Sequence, residues 1–250
     1  MKLRIYAGFA LAFLHLPLLI LIAFSFNASR FTIWEGFSLH WYREAIGDQQ
    51  LAEGLLNSLI IAIVSASLST AIGTLAAYGI WRRSSPLLSG SLYLSLVTPE
   101  IVTGVSLLAL FQWAFRFLHL QLGLYTVIIA HVAFSIAYVV IVISARLRSY
   151  DRTLEEAAMD LGASEWRAFS RVTLPLLLPA VAAAGLLALV VSFDDYVITS
   201  LVAGVDSETL PMVIYAMARR GISPVVNAVS AMIVVFLGAI ILVSDRLQKR

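Results

Sequence analysis

The chain has 250 residues, 60% of them hydrophobic and 13% charged, with a net charge of +2. A soluble domain of this length carries about 25% charged residues, so the composition excludes an ordinary soluble enzyme and indicates a polytopic membrane protein. The small net charge gives no reason to expect nucleic acid, and the absence of cysteine excludes disulfides and thiolate metal sites.

Residues 1–4, Met-Lys-Leu-Arg, followed by an apolar run, have the outline of a signal peptide. Residues 5–26 exceed the roughly 7–15-residue apolar core of such signals, and no A-x-A cleavage site follows. They are read as an uncleaved first span. Apolar runs of about 20 residues, enough to cross a bilayer, lie at 5–26, 55–80, 87–115, 123–145, 177–202 and 225–243. The expectation is an all-α integral membrane protein with six transmembrane helices.

Lysine and arginine set the orientation. With both termini cytoplasmic, Lys2, Arg4, Arg82, Arg83, Arg146, Arg148, Arg152, Arg167, Arg171, Arg246, Lys249 and Arg250 lie inside. Only Arg30, Arg43, Arg116, Arg219 and Arg220 lie outside. This satisfies the positive-inside rule.

The first outer segment carries Asn27-Ala28-Ser29, which matches a glycosylation acceptor pattern, and the aromatics Phe31, Trp34, Phe37, Trp41 and Tyr42. These rings suit a membrane-interface belt; contact with an external partner is the alternative. In the second span Ser65, Ser69, Gly73 and Ala77 recur every four residues, a small-residue face for close helix packing. The third span holds Thr98-Pro99-Glu100, where proline predicts a kink or break. Broken helices at membrane depth face protein or a wet cavity, which makes Glu100 a candidate pathway residue.

The one long polar stretch lies between the fourth and fifth spans. Thr153-x-x-Glu156 reads as a capping box opening a helix, and Gly162 as its left-handed terminator. Leu154, Ala157, Ala158 and Leu161 form one narrow apolar stripe. Ser164 and Glu165 start a second short helix, and Pro175 marks where the chain turns back towards an apolar run. Two short helices hinged at a glycine suit docking into a groove on another protein; a solvated loop with ordinary caps is the plainer alternative.

The fifth span holds Ser192-Phe193-Asp194-Asp195-Tyr196. A carboxylate at membrane depth costs about 2.5–3.5 kcal/mol on insertion scales, so it faces a cavity or a partner. Asp194 falls roughly 22 Å along its helix from Pro179, and Glu100 roughly 20 Å from Leu87, at 1.5 Å per residue. Both sit near the outer mouth. Successive helical residues diverge by about 100°, so only one of Asp194 and Asp195 points straight at a solute. Pairing with Arg219, Arg220 or Arg116, or exposure at the interface, is the structural alternative for these acids.

Residues 205–223 contain Thr209-Leu210-Pro211-Met212, suggesting a short outer helix ended by Gly221. No G-x-x-x-x-G-K-[ST] loop for nucleotide phosphates is present. His15, His40, His119 and His131 lack metal-ligand spacing, and His131 reads as a packed, hydrogen-bonded residue of the fourth span. No serine stands in a nucleophile elbow. An intrinsic enzyme activity and a bound cofactor therefore have no support in the sequence.

Glu156-Ala157-Ala158, three residues, Gly162, nine residues, then Val172-Thr173-Leu174-Pro175 resembles the EAA motif of binding-protein-dependent ABC importer permeases. That family usually has Ile where this chain has Val172. The resemblance implies a type I (MetI-like) fold, a first helix and outer segment at 1–54, and a permease domain at 55–245 with a coupling loop at 146–176. It also implies that Leu154, Glu156, Ala157, Ala158, Gly162 and Pro175 couple the chain to an ATPase subunit. Residues 155–163, 192–195, 209–212 and Ser223-Pro224-x-x-Asn227-Ala228 are similar to the spermidine/putrescine permease subunits of the C/I type. Where that group commonly carries Asp, this chain has Glu100.

The implied partners are two ATPase subunits on the cytoplasmic side, a second permease subunit, a periplasmic solute-binding protein and a polyamine substrate, at the cell inner membrane. The implied mechanism is alternating access driven by ATP, with Glu100, Asp194, Asp195 and Tyr196 as the substrate-pathway residues. The same machine moving iron, sulfate, a phosphonate or another small organic molecule is one alternative; an ATPase-independent channel or secondary transporter is another.

Overall fold

The computed structural model describes residues 2–31, 33–83, 86–118, 120–221 and 224–235. The end of the expected sixth span, with Arg246, Lys249 and Arg250, lies outside the described residues, as do His119 and Ser223. Among the described residues there is no β-strand, only an isolated bridge between Asn27 and Phe37. Among the described residues, five helices are long and apolar enough to cross a membrane: Tyr6–Phe24, Gln49–Arg83, Glu100–Phe117, Leu124–Leu147 and Glu165–Asp194. The chain divides into two units, one formed by residues up to 53 and from 213 onward, the other by 54–212.

In the first unit, α1 (Lys2–Phe24) is apolar and exposed along most of its length. The segment after it folds around Asn27, whose amide donates to the carbonyls of Phe31 (3.1 Å) and Ile33 (2.8 Å). Its side-chain oxygen accepts from the Glu35 amide at 3.0 Å. The Asn27 side chain is thus fully committed to the turn. The Trp41 indole, on α2 (His40–Gly47), donates to the Asn27 carbonyl at 2.7 Å. The outer aromatics accordingly split: Trp41 is buried, whereas Phe31, Trp34 and Phe37 are exposed. α12 (Pro224–Val235) covers the described part of the last expected span.

The second unit is built on α3 (Gln49–Arg83), whose 35 residues span about 52 Å at 1.5 Å each. Its small-residue face packs inward: Ser65, Ser69 and Ala77 are buried. A Cβ on Gly73 would meet Val139 Cγ1 at 2.6 Å, so α6 (Leu124–Leu147) approaches too closely there for any side chain. Ala66 and Ala77 of α3 join Val139, Val140, Ile143 and Leu147 of α6 and Leu177, Ala184 and Ala188 of α9 (Leu174–Asp194) in one core.

The third expected span is two helices, α4 (Pro86–Val97) and α5 (Glu100–Leu118). The break falls at Thr98-Pro99, where proline lacks an amide. The fifth is also interrupted: α9 stops at Asp194, and the chain resumes as α10 (Val197–Val202). α11 (Leu210–Arg219) fills the expected outer helix. The helices after the two breaks meet at Gly104, where a Cβ would lie 2.6 Å from Leu201 Cδ1 and 3.3 Å from Ile198 Cα.

Candidate functional site

The polar stretch forms α7 (Thr153–Asp160) and α8 (Glu165–Ala168). The expected capping box between Thr153 and Glu156 does not form. Asp151 lies two residues upstream and takes both the Thr153 amide (3.0 Å) and the Thr153 hydroxyl (2.8 Å). An ionised carboxylate outcompetes the alternatives for these donors, and the two bonds, the amide's first, hold the Asp151 carboxyl below its usual range. Glu156 instead pairs along the helix with Arg152 at 3.5 Å.

The other end of α7 closes as expected. Gly162 has φ +89°, its amide donates to the Met159 carbonyl (2.9 Å) and the Ala163 amide donates to that of Ala158 (3.0 Å). This paired closure needs a left-handed residue after the helix. Ser164 caps α8, accepting from the Arg167 amide at 3.4 Å. Pro175, however, makes no turn. The chain passes from α8 through a widened π-type turn, Phe169–Thr173, directly into α9. The extra residue in that turn relieves the clash a proline ring makes with the preceding turn.

The apolar stripe of α7 faces away from the rest of the chain. Leu154 is 47% exposed and Leu161 91% exposed, Ala157 is exposed beside them, and Trp166 of α8 is 65% exposed. Ala158 is turned partly inward. An apolar cluster at the tip of a polar loop marks an interaction site.

The inner side of α7 holds a group that the stripe does not reveal. Glu155 is 1% exposed. Its Oε1 accepts hydrogen bonds from the Tyr78 hydroxyl on α3 and from Thr173 Oγ1, the latter at 3.3 Å. Arg82, one turn further along α3, donates to the Tyr78 hydroxyl at 3.1 Å and pairs with Glu165 of α8 at 3.3 Å. The Tyr78 ring packs on Phe169 with centroids 4.5 Å apart.

At the second break, Asp195 is turned inward with its side chain 6% exposed. Its carboxylate accepts from the amides of Ile198 (3.4 Å) and Thr199 (2.8 Å) and from the Thr199 hydroxyl (2.7 Å), closing the start of α10. His131 of α6 is buried, with Nδ1 2.7 Å from Ser192 Oγ and Nε2 2.9 Å from Thr199 Oγ1 and 3.4 Å from Asp195 Oδ2. Ser192 Oγ also shares a 2.8 Å hydrogen bond with Ser65 of α3. Asp194 and Glu100, by contrast, are exposed, Glu100 in the first turn of α5.

Residues 69–250 match the family described as "Binding-protein-dependent transport system inner membrane component". The chain belongs to this permease family. It is 39% identical over 243 residues to the Escherichia coli K12 spermidine/putrescine transport system permease protein PotC, covering 96% of this chain and 90% of that protein. It is 40% identical over 235 residues to the putrescine transport system permease protein PotI of the same strain, covering 91% and 83%. A bacterial ABC transporter involved in import of the acidic polysaccharide alginate shares the fold at TM-score 0.69 and 16% identity, covering 98% of this chain and 94% of that one. The MetNI methionine ABC transporter does so at 0.65 and 18%, covering 79% and 94%.

For a permease of this family, the loop divides the sequence-predicted residues cleanly. Leu154 and Ala157 point outward with Glu156, Gly162 shapes the hinge, Ala158 is half-buried, and Pro175 lies inside the helix that follows. Of the three acids, Asp194 and Glu100 stay accessible, while the partner that the sequence does not suggest for Asp195 is His131. Tyr78, Arg82 and Glu155 are not among the site residues that the sequence suggests. The one available signal was that Glu155 and Glu156, about 100° apart on a helix, cannot both face outward.

Proposed function

We propose that this inner-membrane permease is the polyamine-conducting subunit of an ATP-driven importer. The observation that carries it is the outward apolar stripe of Leu154, Ala157 and Leu161, with Trp166 beside it, on a loop whose other face is fixed to the chain. Such a surface suits the groove of an ATPase subunit. The coupling loop at 146–176 lies in the cytoplasm with both termini, within a six-span topology whose permease domain covers 55–245 and follows a first helix and outer segment at 1–54. Two ATPase subunits, a second and different permease subunit and a periplasmic binding protein complete the machine.

The names of the relatives support a putrescine or spermidine substrate. Glu100 and Asp194 then supply negative potential along the path, with Tyr196 beside them, while Asp195 acts through the backbone that it holds at the break. Binding must stay weak enough for release, so exposed single carboxylates suit a passage better than a closed cage. ATP drives the cycle only by favouring one permease state over the other, since equal affinity for both moves nothing.

The test is reconstitution of the full complex in proteoliposomes with ATP inside the cytoplasmic-facing compartment. Labelled putrescine or spermidine should enter only with ATP, ATPase subunits and binding protein all present. Passage at full rate through the chain alone would overturn the importer reading; ATP-dependent uptake of a different solute would overturn the polyamine assignment.

A further inference from the structure

The two short helices on either side of Gly162 are both tied to a single turn of α3. Glu155 of α7 takes its hydrogen bond from Tyr78, and Glu165 of α8 pairs with Arg82, which itself donates to the Tyr78 hydroxyl. The hinge is therefore bridged from within. Thr173 extends the bridge to the start of α9, donating to Glu155 at 3.3 Å and meeting the Tyr150 hydroxyl at 3.2 Å. Ring contacts fill the remainder: Tyr78 on Phe169, Trp81 on Tyr150 at 5.7 Å, and Arg152 over Trp81 at 5.6 Å.

Apolar burial is non-directional, so by itself it fixes the relative position of two surfaces less strictly than hydrogen bonds do. A buried carboxylate with hydrogen bonds is different. It is stable only in the geometry that satisfies it, because an unpaired charge out of water is costly. Glu155 is the buried carboxylate at this junction, whereas Glu156 beside it and Glu165 are exposed.

We propose that Glu155 is the positioning residue that makes α7, α8 and the inner end of α3 move as one body. A displacement of the coupling helices is thereby delivered to α3 rather than absorbed at the Gly162 hinge. This rests on the reading of residues 153–175 as the ATPase-docking element, and it adds a second function for the loop: the outer face receives the push, and the inner carboxylate transmits it.

The test uses the complete reconstituted complex and reads ATP hydrolysed per solute imported. Tyr78→Phe keeps the ring packing and removes the hydroxyl; Glu155→Leu keeps the volume and removes the acceptor; Glu155→Gln keeps an acceptor. The first two should each raise the ratio at least threefold, and together by less than the product of the two, because they share the Tyr78–Glu155 link. Glu155→Gln should recover most of the coupling. All three should still retain the ATPase subunits on co-purification.

An unchanged ratio in both Tyr78→Phe and Glu155→Leu overturns the proposal. So does loss of the ATPase subunits from Tyr78→Phe, which would make the cluster part of the docking fold alone. The ratio is taken for whichever solute the unmodified complex imports, so a wrong polyamine assignment leaves the outcome intact. A wrong docking surface shows separately, as ATPase binding that survives Leu161→Glu.

Discussion

Gly162 offers a perturbation whose cost comes from the backbone alone. Its φ is +89°, and a Cβ built on it meets nothing within 4 Å. No clash therefore contributes, and any loss on substitution measures the price of a left-handed residue. For most L-residues that price is about 1–2 kcal/mol, with Asn visiting the region readily; for a β-branched residue it approaches about 3 kcal/mol. At 1.4 kcal/mol per tenfold, Gly162→Ala should shift the equilibrium away from the docking-competent form of the loop by roughly 5–30-fold and Gly162→Val by roughly 100-fold. Gly162→Asn should cost less than about threefold on the same scale. The affinity of purified ATPase subunits for the solubilised permease complex reads the population of that form directly, and uptake at limiting ATPase should follow the same order. Insertion and the packed core should be unaffected, because Gly162 touches neither. Wild-type affinity for Gly162→Val, or Asn faring worse than Val, would refute the idea that the paired closure at Gly162 sets the loop for docking.

Leu161→Glu should abolish co-purification of the ATPase while leaving the permease monodisperse in detergent, since a side chain 91% exposed supports nothing in its own chain; full burial of a leucine contributes about 1.5–3 kcal/mol at an interface, and a carboxylate there adds a desolvation cost. Asp194→Asn should weaken apparent affinity for polyamine with no change in thermal stability. Asp195→Asn should lower stability by about 1–3 kcal/mol through the disturbed bonds at the start of α10, visible as a reduced thermal midpoint; equal stability of the two variants would contradict the different placement of these acids. Gly104→Val should cost about 1–3 kcal/mol by overpacking against Leu201 and Ile198, and a midpoint unchanged from wild type would show that α5 and α10 separate freely.

The apolar spans were legible because membrane helices are apolar on every side, a property that needs no knowledge of neighbours. Pro99 announced the break between α4 and α5, and Gly162 announced a left-handed closure, for the same reason: each is imposed by its own backbone chemistry. The expected capping box failed through local competition, because Asp151 offers Thr153 a charged acceptor that the T-x-x-E pattern ignores. Pro175 was misread as a turn because the widened π-type turn before it lets the helix continue through proline. Glu155 and Asp195 were hidden for another reason. Their partners, Tyr78 and His131, lie 77 and 64 positions away in the chain, and no local periodicity records pairings at that separation. For Glu155 and Glu156 the 100° helical step says that the two cannot share one face; Asp195 lies past the end of α9 in extended backbone, where that step does not apply and only the tertiary fold sets its direction.

Those two inward acids sit on the same scaffold. Tyr78 and Ser65 belong to one uninterrupted helix, 13 residues and about 20 Å apart. At one position α3 holds the α7–α8 loop through Glu155; at the other it shares a hydrogen bond with Ser192, which contacts His131, which in turn contacts Asp195 at the break. A helix with an intact backbone ladder shifts or tilts as a rod, so motion at one station must appear at the other. Contiguity alone does not establish energetic coupling, but it fixes what coupling would look like. Tyr78→Phe and Asp195→Asn should be non-additive in the ATP-to-solute ratio although the sites share no contact. If α3 is not the carrier, the two effects will add, as independent sites more than about 10 Å apart do.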